Sequence, residues 1–299
     1  MGKIRRSLSL KEIQTFRTGK IMKAAPFFKG TLLIWPLLLF LSVLFFYPLL
    51  RMAYLAFFKP GFTLENFIVI FQTSLYIDVL TNTLKISFLV TLVCLFMGYP
   101  LAYLMSEVSG KHLAWMIVLV LVPFWTSVLI RTYSWMVLLG YNGVLNNLLI
   151  KLGLISSPVP LMYNKIGVTV GMVHILLPFM ILSLFSVMKG IDRELLKAAQ
   201  NLGANYFQTF RRVFFPLSLP GVGAGCLLVF IMGIGFFITP ALMGGRKDMM
   251  LSMLIDLQVT EFLNWGLGSA LALILLSVIV IIFLISSRYL KLSQIWGMR

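Results

Sequence analysis

Few residues in this chain could do covalent or metal chemistry, and they do not gather. Ser, His and Asp never cluster into a nucleophilic site. Cys94 and Cys226 each lie inside an apolar run and fit neither a disulfide framework nor a metal site, whose ligands come in spaced groups. They read as small packing residues. His174 has no carboxylate near it in sequence to complete a proton relay, and it reads as a hydrogen-bond partner for a neighbouring helix. Gly19-Lys20 and Gly110-Lys111 lack the preceding glycine and the following Ser or Thr of a phosphate-binding loop, so the chain is not expected to hydrolyse ATP itself.

The spacing that does point to a task lies in Ile191–Pro216. Asp192 can cap a helix that starts at Arg193. Leu195, Ala198, Ala199 and Leu202 then recur at intervals of three and four, giving one apolar stripe. Gly203 ends that helix as its C-cap. A second amphipathic run, Ala204–Arg212, leads to Pro216, where an apolar span begins. The segment is therefore a helix–turn–helix, and its small Ala198-Ala199 pair lets another backbone approach closely. On physics alone two uses fit equally well: a docking surface for a protein, or an interfacial helix that touches only lipid.

The elements that must position this loop are apolar. The chain is 60% hydrophobic and 11% charged, against about 25% charge in a soluble domain. Such a chain cannot hide its surface in one core, so lipid is the expected solvent. Runs of about 20 apolar residues are long enough to cross a bilayer. They occur at Leu32–Leu50, Leu84–Leu104, Ala114–Ile130, Val168–Val187, Leu217–Ile238 and Leu267–Ser286. Prolines 36, 48, 100, 123 and 178 lie in or beside them and are tolerated in membrane helices, where they often mark kinks. The fold class is an all-α integral membrane protein of about six transmembrane helices.

Six spans put both termini on one side. The N-terminal tail, the loop around Lys111, the loop Lys189–Arg212 and the segment after Arg288 hold about 17 Lys and Arg, and the opposite segments about 8. That asymmetry places both termini in the cytoplasm. The first thirty residues are polybasic without a convincing cleavage site and read as an uncleaved tail. The net charge of +16 is spread through short segments between spans, a pattern of membrane orientation that argues against nucleic acid as a partner. Three external segments, Ala56–Asn82, Leu139–Lys165 and Ala241–Trp265, carry their own apolar patches and are expected to form short interfacial helices. No internal repeat is visible, which weakens a transporter of two homologous halves.

The loop resembles the EAA motif of ABC importer permeases, Glu-Ala-Ala, three residues, Gly, nine residues, Ile-x-Leu-Pro. Ala198, Ala199, Gly203 and Pro216 occupy the required positions, and Val213 and Phe215 stand for the Ile and Leu. Four further stretches are similar to the spermidine/putrescine class of permease, component I type: Leu95–Tyr103, Val122–Arg131, Ile175–Ile181 and Thr239–Gly245. The resemblance implies a type I importer fold at the bacterial inner membrane. It implies a basic cytoplasmic tail over residues 1–30, a permease domain over 31–288 with its coupling loop at 189–216, and a cytoplasmic tail over 289–299. It implies an ABC ATPase dimer that binds the ATP and Mg, no cofactor in this chain, a second permease subunit and a periplasmic binding protein. Glu194, Lys197, Ala198, Ala199, Gly203 and Pro216 would couple to the ATPase. Lys197 stands where the family has Glu, which commonly pairs with a basic residue of the ATPase. Either that pair is lost, or its polarity is reversed, or Glu194 takes its place.

The resemblance implies a polyamine as the solute; relatives that handle opines, amino acids or other small organic solutes share much of the pattern, and an ion-gradient transporter is the more distant alternative. A polyamine pathway needs carboxylates for ammonium groups and aromatic faces for methylenes and cation–π contact. Asp256 and Glu261, just before the sixth span, could supply the first, and Trp125, Tyr133 and Trp135 on the third span the second. Arg131 near them could snorkel to the interface or bind an anionic group. The last external loop, with Arg246-Lys247-Asp248 exposed, is expected to turn at Gly244-Gly245 with a positive φ at one of them.

Overall fold

The computed structural model describes residues 34–59 and 61–289. The basic tail over residues 1–30 and the C-terminal tail beyond residue 289 lie outside them. The chain divides into two units at Arg51/Met52. The first unit holds most of α1, Trp35–Phe57, an apolar helix of 23 residues with Pro48 inside it. At 1.5 Å per residue it is about 35 Å long, enough for the hydrocarbon core. Within that unit Arg51 donates to the Tyr47 hydroxyl at 3.3 Å.

The second unit takes in the end of α1 and then a two-residue ladder, β1 (Phe58–Lys59) against β2 (Gly61–Phe62). Then come α2 (Glu65–Gln72), α3 (Ser74–Glu107), α4 (Gly110–Leu121), α5 (Val128–Leu139), α6 (Val144–Lys151), α7 (Lys165–Lys189) and α8 (Arg193–Asn201). The chain continues through α9 (Tyr206–Ile234), α10 (Ile238–Met243), α11 (Leu251–Thr260) and α12 (Trp265–Tyr289). Among the described residues, five helices are long and apolar enough to cross a membrane, and a sixth crossing arises if one bent pair is counted as a span.

Helices α3, α7 and α9 pack on one another and form the core. On α7 the fully buried residues Val168, Met172, Leu176, Met180, Leu184 and Met188 recur every four positions. A four-residue step advances about 40° around a helix, so this stripe winds round α7 and meets one neighbour after another. The partner helix α9 supplies the room. A Cβ on Gly221 would meet Val187 at 2.9 Å, and one on Gly225 would meet the Met180 sulfur at 2.8 Å. Small residues at such spacing let membrane helices pack backbone to backbone. A second cluster joins Ala56, Ile70, Val79, Leu251, Leu254, Leu267 and Leu271 from α1, α2, α3, α11 and α12.

The third expected span, Ala114–Ile130, is not one straight helix. Helix α4 passes into a 3₁₀ turn at Val122–Trp125 and then bends by 95° into α5 and α6. Pro123 supplies no N–H to the helix ladder. Its carbonyl instead takes both the Thr126 N–H (3.2 Å) and the Thr126 hydroxyl (2.8 Å), which closes the turn, and Thr126 leaves in an extended conformation. The limb before the bend, Gly110–Trp125, is about 26 Å long at helical and 3₁₀ rises. Trp125 lies in the turn, while Tyr133 and Trp135 lie beyond the bend on α5.

The segments Ala56–Asn82, Leu139–Lys165 and Ala241–Trp265 each hold a short helix as expected: α2, α6 and α11. Asn146 fastens the α6 segment, donating to the carbonyls of Gly140, Tyr141 and Val159 and accepting from the Val159 N–H at 3.0 Å. The Gly244-Gly245 expectation fails. Both have negative φ, −82° and −92°. Glycine stands there because a Cβ would strike backbone, the Pro240 carbonyl from Gly244 and the Tyr163 carbonyl from Gly245. Asp248, expected to be exposed, is buried and accepts the Gly245 N–H at 3.2 Å.

Candidate functional site

The segment 191–216 folds as the periodicity predicts. Asp192 Oδ1 accepts the Glu194 N–H at 2.9 Å, capping α8. At the other end the Gly203 N–H donates to Gln200 (2.9 Å) and the Ala204 N–H to Ala199 (3.1 Å). This is the paired bond set of a Schellman cap, which needs a left-handed residue. Gly203 supplies it with φ of 89°, and nothing lies within 4 Å of its would-be Cβ, so conformation alone requires glycine. Asn205 then opens α9 with a reciprocal box. It accepts the Gln208 N–H at 2.8 Å, and its own N–H donates to Gln208 Oε1 at 3.1 Å. The N–H groups of Leu202, Gly203, Ala204 and Asn205 thus all have partners, which fixes the corner between the two helices.

The start of the following span departs from expectation. It begins at Tyr206 and not at Pro216. Pro216 has no N–H and its ring would crowd the carbonyl of Arg212 in a regular helix. The chain answers with a π turn at Phe210–Phe214, in which the Phe215 N–H reaches back to the Phe210 carbonyl. Helix α9 therefore continues without a break into the loop.

The loop presents one face outward and one inward. Leu195, Ala198 and Leu202 are exposed, Leu202 at 90%, as are Tyr206 and Phe207. Ala199 is half-buried, and Leu196 packs against the core. The expected stripe thus divides, with Leu195, Ala198 and Leu202 unpartnered among the described residues. Lys197 Nζ donates to Glu194 Oε1 at 2.9 Å, an exposed pair one turn apart. This hydrogen bond holds the Lys197 amine above its ordinary range. Of the three charged side chains of α8, Glu194 and Lys197 are thus engaged with each other.

The inward side is anchored at the end of α3. Arg193 bonds the Glu107 carboxylate and donates to the Ser106 carbonyl (2.9 Å) and hydroxyl (3.1 Å). Lys189 Nζ donates to the carbonyls of Ser106 (3.3 Å) and Val108 (3.0 Å). The basic loops at Lys111 and 189–212 therefore share one end of the bundle. Beside them a cleft of about 610 Å³ opens, lined by Tyr103, Glu107, Arg193, Leu196, Tyr206 and Phe210. Tyr103 and Tyr206 hydrogen-bond through their hydroxyls at its edge.

The candidate pathway residues fall into two groups. Trp125 is 79% exposed, and Tyr133 is exposed on α5. Trp135 is half-buried and donates its Nε1–H to His174 Nδ1 at 3.0 Å, so the hydrogen bond expected of His174 is made to α5. Helix α5 packs on α7 and α10. Asp256 and Glu261 are exposed on α11 and at its C-cap, and α11 packs on α3 and α12. The aromatics and the carboxylates thus have different neighbours. Arg131, expected to snorkel or bind an anion, has its buried Nε without a hydrogen-bond partner among the described residues. An apolar cavity of about 310 Å³ lies under the bend between α3, α4 and α7, lined by Leu101, Val120, Pro123, His174, Leu177 and Pro178.

No family model matches the chain. The spermidine/putrescine transport system permease protein PotB of Haemophilus influenzae is 40% identical over 232 residues, covering 77% of this chain and 81% of that protein. PotB of Escherichia coli strain K12 is 38% identical over 237 residues, covering 79% and 86%. Among solved structures, a chain of a bacterial alginate ABC transporter, in complex with a pentasaccharide-bound periplasmic protein, aligns with a TM-score of 0.75 at 19% identity. That alignment covers 91% of this chain and 96% of the other.

Proposed function

The chain belongs to the spermidine/putrescine permease family of ABC importers, and on that premise we propose that it carries a polyamine across the bacterial inner membrane as one subunit of an ATP-driven importer. The identity of 40% over 81% of a PotB chain carries this reading. The capped helix–turn–helix at 191–216 supports the rest of it. In this reading the loop faces the cytoplasm, and the outward residues Leu195, Ala198 and Leu202 seat α8 in a cleft of an ATPase subunit. ATP and Mg bind there and not in this chain. A second, homologous permease completes the pathway, and a periplasmic binding protein delivers the solute.

The chemistry of this chain is mechanical. ATP binding closes the ATPase dimer and moves α8, and α8 moves the spans that meet at its end. Access then alternates between the two sides. The exposed carboxylates of Asp256 and Glu261 suit the collection of a cation on the outer side, and exposed Trp125 suits its methylenes. The Glu194–Lys197 pair leaves no free acidic group on α8 to meet a basic residue of the ATPase. Docking here then rests on apolar contact and backbone shape.

The test is uptake by proteoliposomes that hold the permease pair and the ATPase, with binding protein added outside. Spermidine should accumulate only with ATP inside. Accumulation driven by an ion gradient, without the ATPase, would refute the reading.

A further inference from the structure

The first turn of α8 is held by a side chain that the outward face does not use. Arg193 touches four groups at once: the Glu107 carboxylate, the Ser106 carbonyl, the Ser106 hydroxyl and the face of Phe214, whose centroid lies 5.6 Å from the guanidinium carbon. Ser106 and Glu107 form the last turn of α3, and Phe214 is buried in the π turn of α9. One guanidinium therefore ties the loop to the ends of two spans. Its planar fork of donors can serve a carboxylate, a carbonyl and a hydroxyl together while its face lies on a ring. Both cations near the end of α3 also satisfy carbonyls that a helix terminus leaves open.

We infer that Arg193 is the positioning residue through which displacement of α8 reaches α3 and α9. This rests on the reading of 191–216 as the ATPase-docking loop. Leu196 meets the core through apolar contact, which resists separation but not sliding. The bonds of Arg193 are directional and oppose the slide. A push on α8 then carries the ends of both spans with it. The Arg193 and Glu107 side chains are 31% and 43% exposed, so the joint can be cut without stranding a buried charge. That separates loss of transmission from loss of the fold.

The test uses the whole importer in proteoliposomes and reads solute taken up per ATP hydrolysed, with co-purification of the ATPase measured beside it. Arg193→Gln should keep the ATPase bound and lower uptake per ATP about fivefold or more. Glu107→Gln should lower it less, because Ser106 and Phe214 still hold the guanidinium. The exchange Arg193→Glu with Glu107→Arg should recover part of the loss seen with Arg193→Glu alone. Unchanged uptake per ATP in Arg193→Gln overturns the proposal. Loss of ATPase co-purification overturns it too, since Arg193 would then serve docking or folding. If the wild-type importer itself fails to couple ATP to uptake, the docking reading falls with the proposal, and the wild-type control alone identifies that case.

Discussion

Trp135 donates its indole N–H to Nδ1 of His174 at 3.0 Å, joining the helix beyond the bend to the central helix of the core. The indole has only a donor, so Nδ1 is the acceptor and the ring proton of His174 sits on Nε2. Trp135→Phe keeps the aromatic body and removes the bond. Bonds between membrane helices average about 0.6 kcal/mol and reach about 1.7. A loss of stability in that range is expected in a detergent melt, with an unchanged apparent KM for solute. A large change in KM with an unchanged melt would instead make Trp135 a solute contact.

Gly203 tests conformation apart from space. Its φ is 89° and a Cβ there meets nothing within 4 Å. Gly203→Ala should cost about 1 kcal/mol through backbone strain alone. The strain falls on the cap that sets the angle of α8, so ATPase co-purification should weaken while the spans stay folded. Gly235→Ala is the control, with equal space but φ of −85°, and should leave both properties unchanged. Equal behaviour of the two variants would show that the cap does not fix the docking angle.

The spans and the loop were legible because each carries a local signal. Twenty apolar residues, a capping Asp192 and the three-and-four spacing of α8 are read from neighbours in sequence. The bend after Trp125 was not legible, because apolar residues run on past Thr126 and Ser127 to Ile130 and proline is tolerated in membrane helices. Gly244 and Gly245 misled for a related reason. Glycine answers both to a positive φ and to a crowding backbone, and only tertiary contact tells which. The anchor of Arg193 was out of reach, since Glu107 lies 86 positions away. The division of the α8 stripe likewise depends on where α3 and α9 stand.

Lys197→Glu places two carboxylates at positions 194 and 197 in place of the present pair. Lys197 is charged at neutral pH with or without Glu194; because the hydrogen bond raises the amine's pKa, the pair's contribution is fully present below the unfolded-state pKa and is lost as pH rises through the folded one. Exposed pairs of this kind contribute little, so α8 should survive the change. Both carboxylates would then be available to a basic residue on the ATPase. An ATPase affinity higher by about two- to fivefold is expected in a pull-down titration. A fall in affinity would mean that the ATPase offers an acidic partner to Lys197.

Asp256 is the clearest test of the outer path. It is exposed on α11, its side chain makes no hydrogen bond or ion pair among the described residues, and only its carbonyl is used, by the Thr260 hydroxyl at 2.7 Å. Asp256→Asn should therefore leave the melt unchanged. If its charge gathers a cationic solute, the loss should appear at low solute concentration as an apparent KM higher by about two- to fivefold, the scale of one exposed charge pair. The effect should shrink as salt screens the charge. Because Trp125 lies in the turn that packs on α4, whereas α11 packs on α3 and α12, Asp256→Asn and Trp125→Ala should act additively on uptake. Wild-type KM in Asp256→Asn at low salt would remove this carboxylate from the path.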